Sequence, residues 1–377
     1  MLQSAQPAPA NQTAAKKRET DGPPTVITVQ YLRAVAASLV VFHHAMAPPA
    51  LQSYYRHSFG EFGVDLFFVI SGYIMWTTTA RGQRGPASFW AARIVRIVPL
   101  YWVYTTLFLA VALIMPQALF TPPGLDPVFI LKSYLFVPAI HPHFGGVVPV
   151  YTLGWTLNCE MFFYLVFGVC LLVVRPNIRI ALLAALFLLL ALTGWMAAPQ
   201  GPILMTYTNP ILLEFLAGVG LAALAPWLMR SAATLGALLI VLGASWFAHV
   251  VLNNPPLSRI IAYGIPAAII VAGALVLEPI ARSATNRFGL LLGDASYSIY
   301  LAHPFALRAW YFGAGALLPD IGTPAGATIH VAGAMFVGIL GGVISYLLLE
   351  RPLLVVGHRL IGRHALSRRT RAMESPP

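Results

Sequence analysis

Residues 30–47 have the sequence QYLRAVAASLVVFHHAMA, an apolar helical pattern that carries one arginine and a pair of histidines. A charged side chain inside an apolar span is costly, so it needs a partner or a function. Arg33 and His44 are eleven residues apart, and eleven steps make about three turns of an α-helix. Both side chains therefore lie on nearly the same face, separated by about 16 Å along the helix axis. This arrangement suits a long anionic ligand that lies along the helix.

The composition of the chain indicates a membrane protein. Of its 377 residues, 58% are hydrophobic and 9% are charged, and the mean hydropathy is +0.76. We therefore predict an all-α fold, a polytopic bundle of helices in a membrane. The apolar stretches are long and do not alternate with polar residues, which excludes a membrane β-barrel. The net charge of +11 comes from cations in short loops between apolar segments, which indicates topology and not nucleic-acid binding.

Apolar periodicity predicts about ten transmembrane helices. They cover residues 26–47, 62–79, 97–115, 153–174, 178–197, 207–225, 232–252, 259–277, 288–314 and 327–350. The apolar segment 129–137 is too short to span a bilayer, so we expect a re-entrant or interfacial segment there. We expect three regions: a disordered cytoplasmic tail at residues 1–25, a transmembrane domain at residues 26–355, and a basic cytoplasmic tail at residues 356–377.

The distribution of basic residues predicts the orientation of the spans. Of the 23 lysines and arginines, 18 lie on one side of the predicted membrane and three on the other, with two inside spans. The cations on the first side are Lys16, Lys17, Arg18, Arg81, Arg84, Arg93, Arg96, Arg175, Arg179, Arg230, Arg282, Arg287, Arg351, Arg359, Arg363, Arg368, Arg369 and Arg371. Those on the second side are Arg56, Lys132 and Arg259. The positive-inside rule then predicts that both termini are cytoplasmic, with Arg33 toward the cytoplasm and His44 toward the outer face.

Further polar residues interrupt the apolar pattern. Ser71 and Gly72 would let either another helix or a ligand approach closely. Arg93 and Arg96 are one helical turn apart, and arginines at that spacing can clamp phosphates, although anchoring by the positive-inside rule explains them equally well. Glu160 is a carboxylate near the outer side of the fourth span. It could pair with a histidine or an arginine, or it could position a sugar hydroxyl.

Three other histidines and one carboxylate need an interpretation. His141 and His143 form a His-x-His pair, but no cysteine, aspartate or third histidine lies nearby to complete a site, so we expect no metal. His303 lies in the ninth span and is a further candidate base. Glu350 closes the last span, and we interpret it as part of a structural helix end.

Together these residues resemble the motifs of the membrane-bound acyltransferase-3 family, and within it the exopolysaccharide O-acetyltransferases. The resemblance covers about residues 26 to 355. The matching motifs are Arg-x10-His (Arg33 to His44), Phe-Phe-x-x-Ser-Gly (Phe67 to Gly72), Arg-x-x-Arg (Arg93 to Arg96), Gly-Trp-Thr-Leu-x-x-Glu-x-x-Phe-Tyr (Gly154 to Tyr164) and Tyr-Ser-Ile-Tyr-Leu-x-His-Pro (Tyr297 to Pro304).

The resemblance implies an acyl-CoA-dependent O-acyltransferase of the bacterial inner membrane, with acetyl as the expected acyl group. It implies a cytoplasmic donor and a glycan or lipid-linked sugar as acceptor, with membrane lipids and polysaccharide-synthesis proteins as partners. We expect catalytic roles for His44, Arg33 and Glu160. We expect donor-binding roles for Arg93, Arg96 and Ser71.

Two chemical routes and two other functions remain open from sequence. An unperturbed imidazole has a pKa of about 6.5, so His44 could act as general base on a sugar hydroxyl. It could instead be acylated itself and pass the group on. Buried Arg, His and Glu also suit a proton-coupled transporter of a glycan or lipid-linked sugar, and a scaffold subunit of a polysaccharide-synthesis complex is the third alternative.

Overall fold

The computed structural model describes residues 25–52, 59–79, 85–116, 124–314 and 318–361. Several predictions fall outside these residues. They are the predictions on residues 1–24, on residues 362–377 and on the loop cations Arg56, Arg81 and Arg84.

Most of the described residues form helices. The β-type pairing among them is one isolated bridge between Ile140 and Val147. The main helices are α1 (Ile27–Ala45), α2 (Phe62–Thr79), α3 (Pro86–Ile114), α4 (Gly154–Cys170), α5 (Pro176–Ala197), α6 (Leu212–Leu228), α7 (Ala233–Asn253), α8 (Ile260–Val276), α9 (Arg287–Asp294), α10 (Ser296–Ala314) and α11 (Pro324–Ile361). Short helices cover Pro49–Gln52, Pro127–Tyr134, Pro202–Tyr207 and Glu278–Ser283. α8 begins with a π-helical turn, and α11 contains another at Tyr346–Glu350.

The helices agree with an all-α integral membrane protein. A helix, or two consecutive helices, lies in each of the ten predicted segments. In the described part of the chain, six helical segments are long and apolar enough to cross a membrane: α2, α3, α5, Pro202–Leu228, α7 and α11. α4 and α8 are apolar but shorter. α1 and α10, which carry Arg33, His44 and His303, fall outside that group because polar side chains lower their hydropathy.

α3 is longer than the sequence pattern predicts. The apolar pattern begins at residue 97, but the helix begins at Pro86, directly after the extended residue Gly85. A proline in the first turn needs no partner for an N–H group, and arginine is a good helix former. Arg93 and Arg96 therefore lie within the helix, whereas the predicted span placed them before it.

Glycines bring α2 and α6 into backbone contact. A Cβ atom on Gly72 would lie 1.9 Å from the carbonyl oxygen of Phe215, and one on Gly218 would lie 1.9 Å from that of Val69. Small residues at such crossings let membrane helices pack closely. Of the two predicted uses of the Ser71-Gly72 pair, Gly72 thus serves helix packing.

α1 is packed against α2, α8, α9, α10 and α11, and its first turn is anchored by a carboxylate. Glu278 accepts hydrogen bonds from the backbone N–H groups of Ile27 at 3.0 Å and Thr28 at 2.9 Å. These N–H groups have no partner within the helix, and a helix N-terminus favours negative charge. Glu278 therefore fixes the start of α1, and with it the positions of Arg33 and His44 along the bundle.

Candidate active site

A cavity of about 390 Å³ lies between α1, α2, α3, α4, α9, α10 and α11. Its volume is within the range typical of small-molecule sites, about 300–1,000 Å³. Several aromatic side chains line the cavity, among them Phe67, Tyr297 and Tyr300. Five of the six predicted site residues line it, namely Arg33, Ser71, Arg93, Arg96 and Glu160.

Arg33 is oriented by the preceding turn of α1 and by α9. Its Nη1 donates a hydrogen bond to Oε1 of Gln30 at 2.9 Å. Nε2 of Gln30 in turn donates to Oδ1 of Asp294 at 3.2 Å. The direct partner of Arg33 is an uncharged amide, so its positive charge is available to an anion in the cavity.

Arg96 forms an ion pair with Glu350 of α11. Ser298 of α10 donates to the second carboxylate oxygen, Oε2, at 2.6 Å. Glu350 is 1% exposed, and a buried carboxylate is costly unless it is paired. These contacts tie α3, α10 and α11 together. The predicted role of Glu350 as part of a helix end does not include this ion pair, although a carboxylate at the end of an apolar span indicates that a cationic partner is needed.

Arg96 also lies against an aromatic ring, with its guanidinium carbon 5.7 Å from the ring centre of Tyr297. Arg93, one turn earlier in the helix, is placed similarly. Its guanidinium carbon lies 5.9 Å from the ring centre of Phe89, a distance at which cations are attracted to aromatic faces. Both arginines line the cavity. Both members of the predicted phosphate clamp thus lie against aromatic rings, and Arg96 is in addition tied to a buried carboxylate.

Glu160, Ser71 and Tyr164 meet in the cavity wall. Ser71 Oγ donates to Oε1 of Glu160 at 2.9 Å, and the Tyr164 hydroxyl donates to the same oxygen. Two donors hold the carboxylate in one orientation, so Glu160 is a fixed polar group beside the cavity. Tyr164 was not among the predicted site residues, although it ends the motif that contains Glu160.

His44, the sixth predicted residue, does not line the cavity. It lies next to His303 of α10, with the two imidazole ring centres 4.8 Å apart. Tyr300 lines the cavity, and its ring centre is 6.3 Å from that of His303. Phe67 also lines the cavity, with its ring centre 6.3 Å from that of Tyr300. Phe67 and Tyr300 thus form an aromatic layer in the cavity wall, and Tyr300 connects this layer with the histidine pair.

His43 belongs to a separate polar cluster. Its Nε2 lies 4.0 Å from Oε1 of Glu61. Arg259 donates to Glu61 at 3.0 Å and to the two oxygens of Asp65 at 3.1 and 2.9 Å. The cavity lining does not include these four side chains. Of the two adjacent histidines, His44 is therefore the one associated with α10.

The predicted His-x-His pair lies in the loop before α4. The ring centres of His141 and His143 are 5.8 Å apart, and His141 stacks on Phe144 at 3.9 Å. Among the residues that the structure describes, no group of three or more His, Cys, Asp or Glu side chains is arranged to hold a metal ion.

Known proteins similar to this chain agree with the family indicated by the motifs. The family profile for acyltransferase 3, described as an acyltransferase domain, matches residues 26–347. The exopolysaccharide production protein ExoZ of Rhizobium meliloti (strain 1021) is 38% identical over 304 residues, which are 80% of this chain and 91% of ExoZ. The acyltransferase MdmB of Streptomyces mycarofaciens is 27% identical over 338 residues, covering 81% of this chain and 82% of MdmB. No solved structure matches the chain.

The matched region includes all six predicted site residues and most of the helical bundle. The chain belongs to the acyltransferase-3 family, and it is an integral membrane acyltransferase.

Proposed function

We propose that this acyltransferase moves an acyl group, expected to be acetyl, from acyl-CoA to a hydroxyl of an exopolysaccharide or another cell-surface glycan. The observation that carries the proposal is the cavity lined by three arginines and a fixed carboxylate, with Tyr300 connecting its wall to a pair of histidines. Arginine suits phosphate binding, and histidine suits proton transfer. The similarity to ExoZ, whose name refers to exopolysaccharide production, supports a glycan acceptor.

The proposed topology has ten transmembrane helices with both termini in the cytoplasm, in a bacterial inner membrane. The uneven distribution of 18 cations against three supports it. In this orientation, the Arg33 end of α1 lies at the cytoplasmic side, and the His44 end lies toward the outer side. The donor then approaches from the cytoplasm, while the acceptor, a lipid-linked sugar or the polymer, approaches from outside. Membrane lipids and other proteins of polysaccharide synthesis are the expected partners.

In the proposed donor complex, Arg33, Arg93 and Arg96 bind the phosphates of acyl-CoA. The pantetheine arm would then lie along α1, over the axial distance of about 16 Å between Arg33 and His44. The acyl end would reach the aromatic layer of Phe67 and Tyr300. Phe67 is partly exposed, so rotation of its side chain is the simplest way to open a path to His44.

The proposed chemistry is centred on His44. As a general base, its imidazole takes the proton of the acceptor hydroxyl while the hydroxyl oxygen attacks the acyl carbon. In the other route His44 takes the acyl group first and the acceptor then removes it. Glu160, held by Ser71 and Tyr164, would orient the acceptor or the thioester from the cavity wall.

The experiment that tests this function is thiol release from acetyl-CoA by the purified protein in detergent, with and without a glycan extract. We expect release that depends on the extract, and faster release from acetyl-CoA than from propionyl-CoA or succinyl-CoA. No release from any of these donors would contradict the proposal. Proton-driven glycan uptake by proteoliposomes would then test the transporter alternative.

A further inference from the structure

His303 is a fully buried histidine with an unsatisfied nitrogen. Its exposed fraction is 0%, and its Nε2 atom is buried without a hydrogen-bond partner. It does not line the cavity, but its ring centre is 4.8 Å from that of His44. Buried polar atoms almost always have a partner, so an unpaired one beside a candidate base needs an explanation.

Hydrogen bonds to the backbone determine which nitrogen of each ring carries the proton. Nδ1 of His303 lies 3.0 Å from the carbonyl oxygen of Ile299, and Nδ1 of His44 lies 2.9 Å from that of Val40. A carbonyl oxygen can only accept, so the proton of each neutral ring is on Nδ1. Each ring therefore has its lone pair on Nε2, and two such neutral rings cannot hydrogen-bond through these atoms.

His44 also lacks the partner that a catalytic histidine commonly has. In a Ser-His-Asp triad, a carboxylate stabilises the protonated imidazole. In the part of the chain described by the structure, no carboxylate hydrogen-bonds to His44, and the nearby Glu61 is associated with His43 instead. The side chain of α10 that packs against His44 is His303, and its Nε2 is the unsatisfied atom.

We propose that His303 is a positioning residue that accepts a hydrogen bond from Nε2–H of His44 once His44 has taken the proton of the acceptor hydroxyl. This inference rests on the proposed function. In the step, the O–H bond of the acceptor breaks, its proton moves to His44, and its oxygen bonds to the acyl carbon. The C–S bond breaks, and the proton then passes from His44 to the CoA thiolate, which leaves as the thiol. His303 remains neutral throughout.

This pairing lowers the barrier without tightening substrate binding. In the resting protein Nε2 of His303 is buried and unsatisfied, and it gains its hydrogen bond only when His44 is protonated. An interaction that forms only along the reaction path stabilises the transition state selectively. It also requires a proton on Nε2 of His44, which an acylated His44 could not carry. The inference therefore selects direct transfer over an acyl-histidine.

Two substitutions of His303 distinguish the role of its hydrogen-bond acceptor from that of the whole imidazole ring. The amide of His303→Asn can still donate to Ile299, but it places no acceptor at the Nε2 position. The longer side chain of His303→Gln can place its carbonyl oxygen there. We expect kcat for thiol release to fall about tenfold or more in His303→Asn, with a dissociation constant for CoA within about twofold of wild type. We expect His303→Gln to retain more of the kcat than His303→Asn.

His330→Asn is the matched control. His330 is 3% exposed, its Nδ1 is buried without a hydrogen-bond partner, and it packs on Tyr311. His330→Asn measures how the loss of a buried imidazole away from the site affects turnover, and we expect its kcat to equal that of the wild type. An unchanged kcat in His303→Asn would overturn the inference, and so would equal losses of kcat in His303→Asn and His330→Asn. In both cases, turnover by the wild type would still support the proposed function. If the wild type itself releases no thiol, both fail.

A labelling experiment on the wild type decides the matter even if neither His303 variant folds. The protein is incubated with radiolabelled acetyl-CoA without acceptor, and then shown to turn over when acceptor is added. We expect no label on the protein. Label on His44 would overturn the inference, because Nε2 would then carry the acyl group and not a proton.

Discussion

The guanidinium of Arg96 pairs with the carboxylate of Glu350, 254 residues further along the chain. Ser298 occupies the other oxygen of the same carboxylate, so Glu350 connects α3, α10 and α11. Arg96 therefore has a structural partner before any donor binds. Substitution of Arg96 should consequently affect the stability of the fold as well as donor binding.

Replacing Glu350 should destabilise the protein. Glu350→Gln leaves Arg96 without its countercharge, and since Arg96 is 24% exposed, we expect a loss of about 1–3 kcal/mol in unfolding free energy, less than for a fully buried pair. Arg96→Met should cost more, because it leaves the buried carboxylate unpaired. Thermal unfolding in detergent measures both. In a double-mutant cycle, Arg96→Met combined with Glu350→Gln should lose less than the sum of the single variants. Simple additivity would mean that the pair does not interact.

Arg93→Ala should weaken donor binding. Arg93 lines the cavity, with its guanidinium against the ring of Phe89. Hydrogen bonds between charged groups contribute about 1.5–3 kcal/mol, so we expect the dissociation constant for acetyl-CoA to rise about 10- to 100-fold. Isothermal titration or a fluorescent CoA analogue measures the affinity. Arg175→Ala removes an exposed arginine that does not line the cavity, and it serves as the control. Unchanged affinity in Arg93→Ala would show that Arg93 does not bind the donor.

Glu160→Gln should reduce turnover and leave the fold intact. A glutamine carbonyl can still accept the hydrogen bonds from Ser71 and Tyr164, so only the negative charge is lost. We expect kcat to fall about tenfold or more, with a melting temperature close to that of the wild type. Ser71→Ala and Tyr164→Phe each remove one donor and should have smaller effects on turnover. Full activity of Glu160→Gln would exclude a role for its charge.

Gly218→Ala should disrupt the contact between α2 and α6. The new methyl group would collide with the carbonyl oxygen of Val69 at 1.9 Å, and overpacking of this kind costs about 1–3 kcal/mol or more. Gly220 lies on the same helix with no atom within 4 Å of an added Cβ. Gly220→Ala should therefore be neutral or stabilising by up to about 1 kcal/mol. Equal melting temperatures for the two variants would contradict the close helix crossing.

Much of the fold and part of the site follow from local sequence patterns. Long apolar periodic segments predict the helices, and the spacing of Arg33 and His44 on one helix predicts that they share a face. Burial of a polar side chain in an apolar segment costs free energy, so a residue such as Glu160 is a candidate for a functional role. These features depend on residues that are close in the chain.

Contacts between segments that are far apart in the chain could not be predicted from the sequence. The partner of Arg96 is set by the packing of α3 against the end of α11, and the partner of His44 by the packing of α1 against α10. The start of α3 was placed too late because Arg93 and Arg96 interrupt the apolar pattern without interrupting the helix. The aromatic layer of Phe67 and Tyr300 likewise depends on where two helices cross.

Acetyl transfer by a His44 variant is the most direct test of the account. Purified wild type, His44→Ala and His43→Ala would be compared, at equal folding, for thiol release from acetyl-CoA and for labelled acetyl recovered in the glycan fraction. The account predicts both activities in the wild type and in His43→Ala, whose side chain belongs to the Glu61 and Arg259 cluster, and neither activity in His44→Ala. Undiminished acetyl transfer by His44→Ala would contradict it and would place the reacting base elsewhere in the bundle.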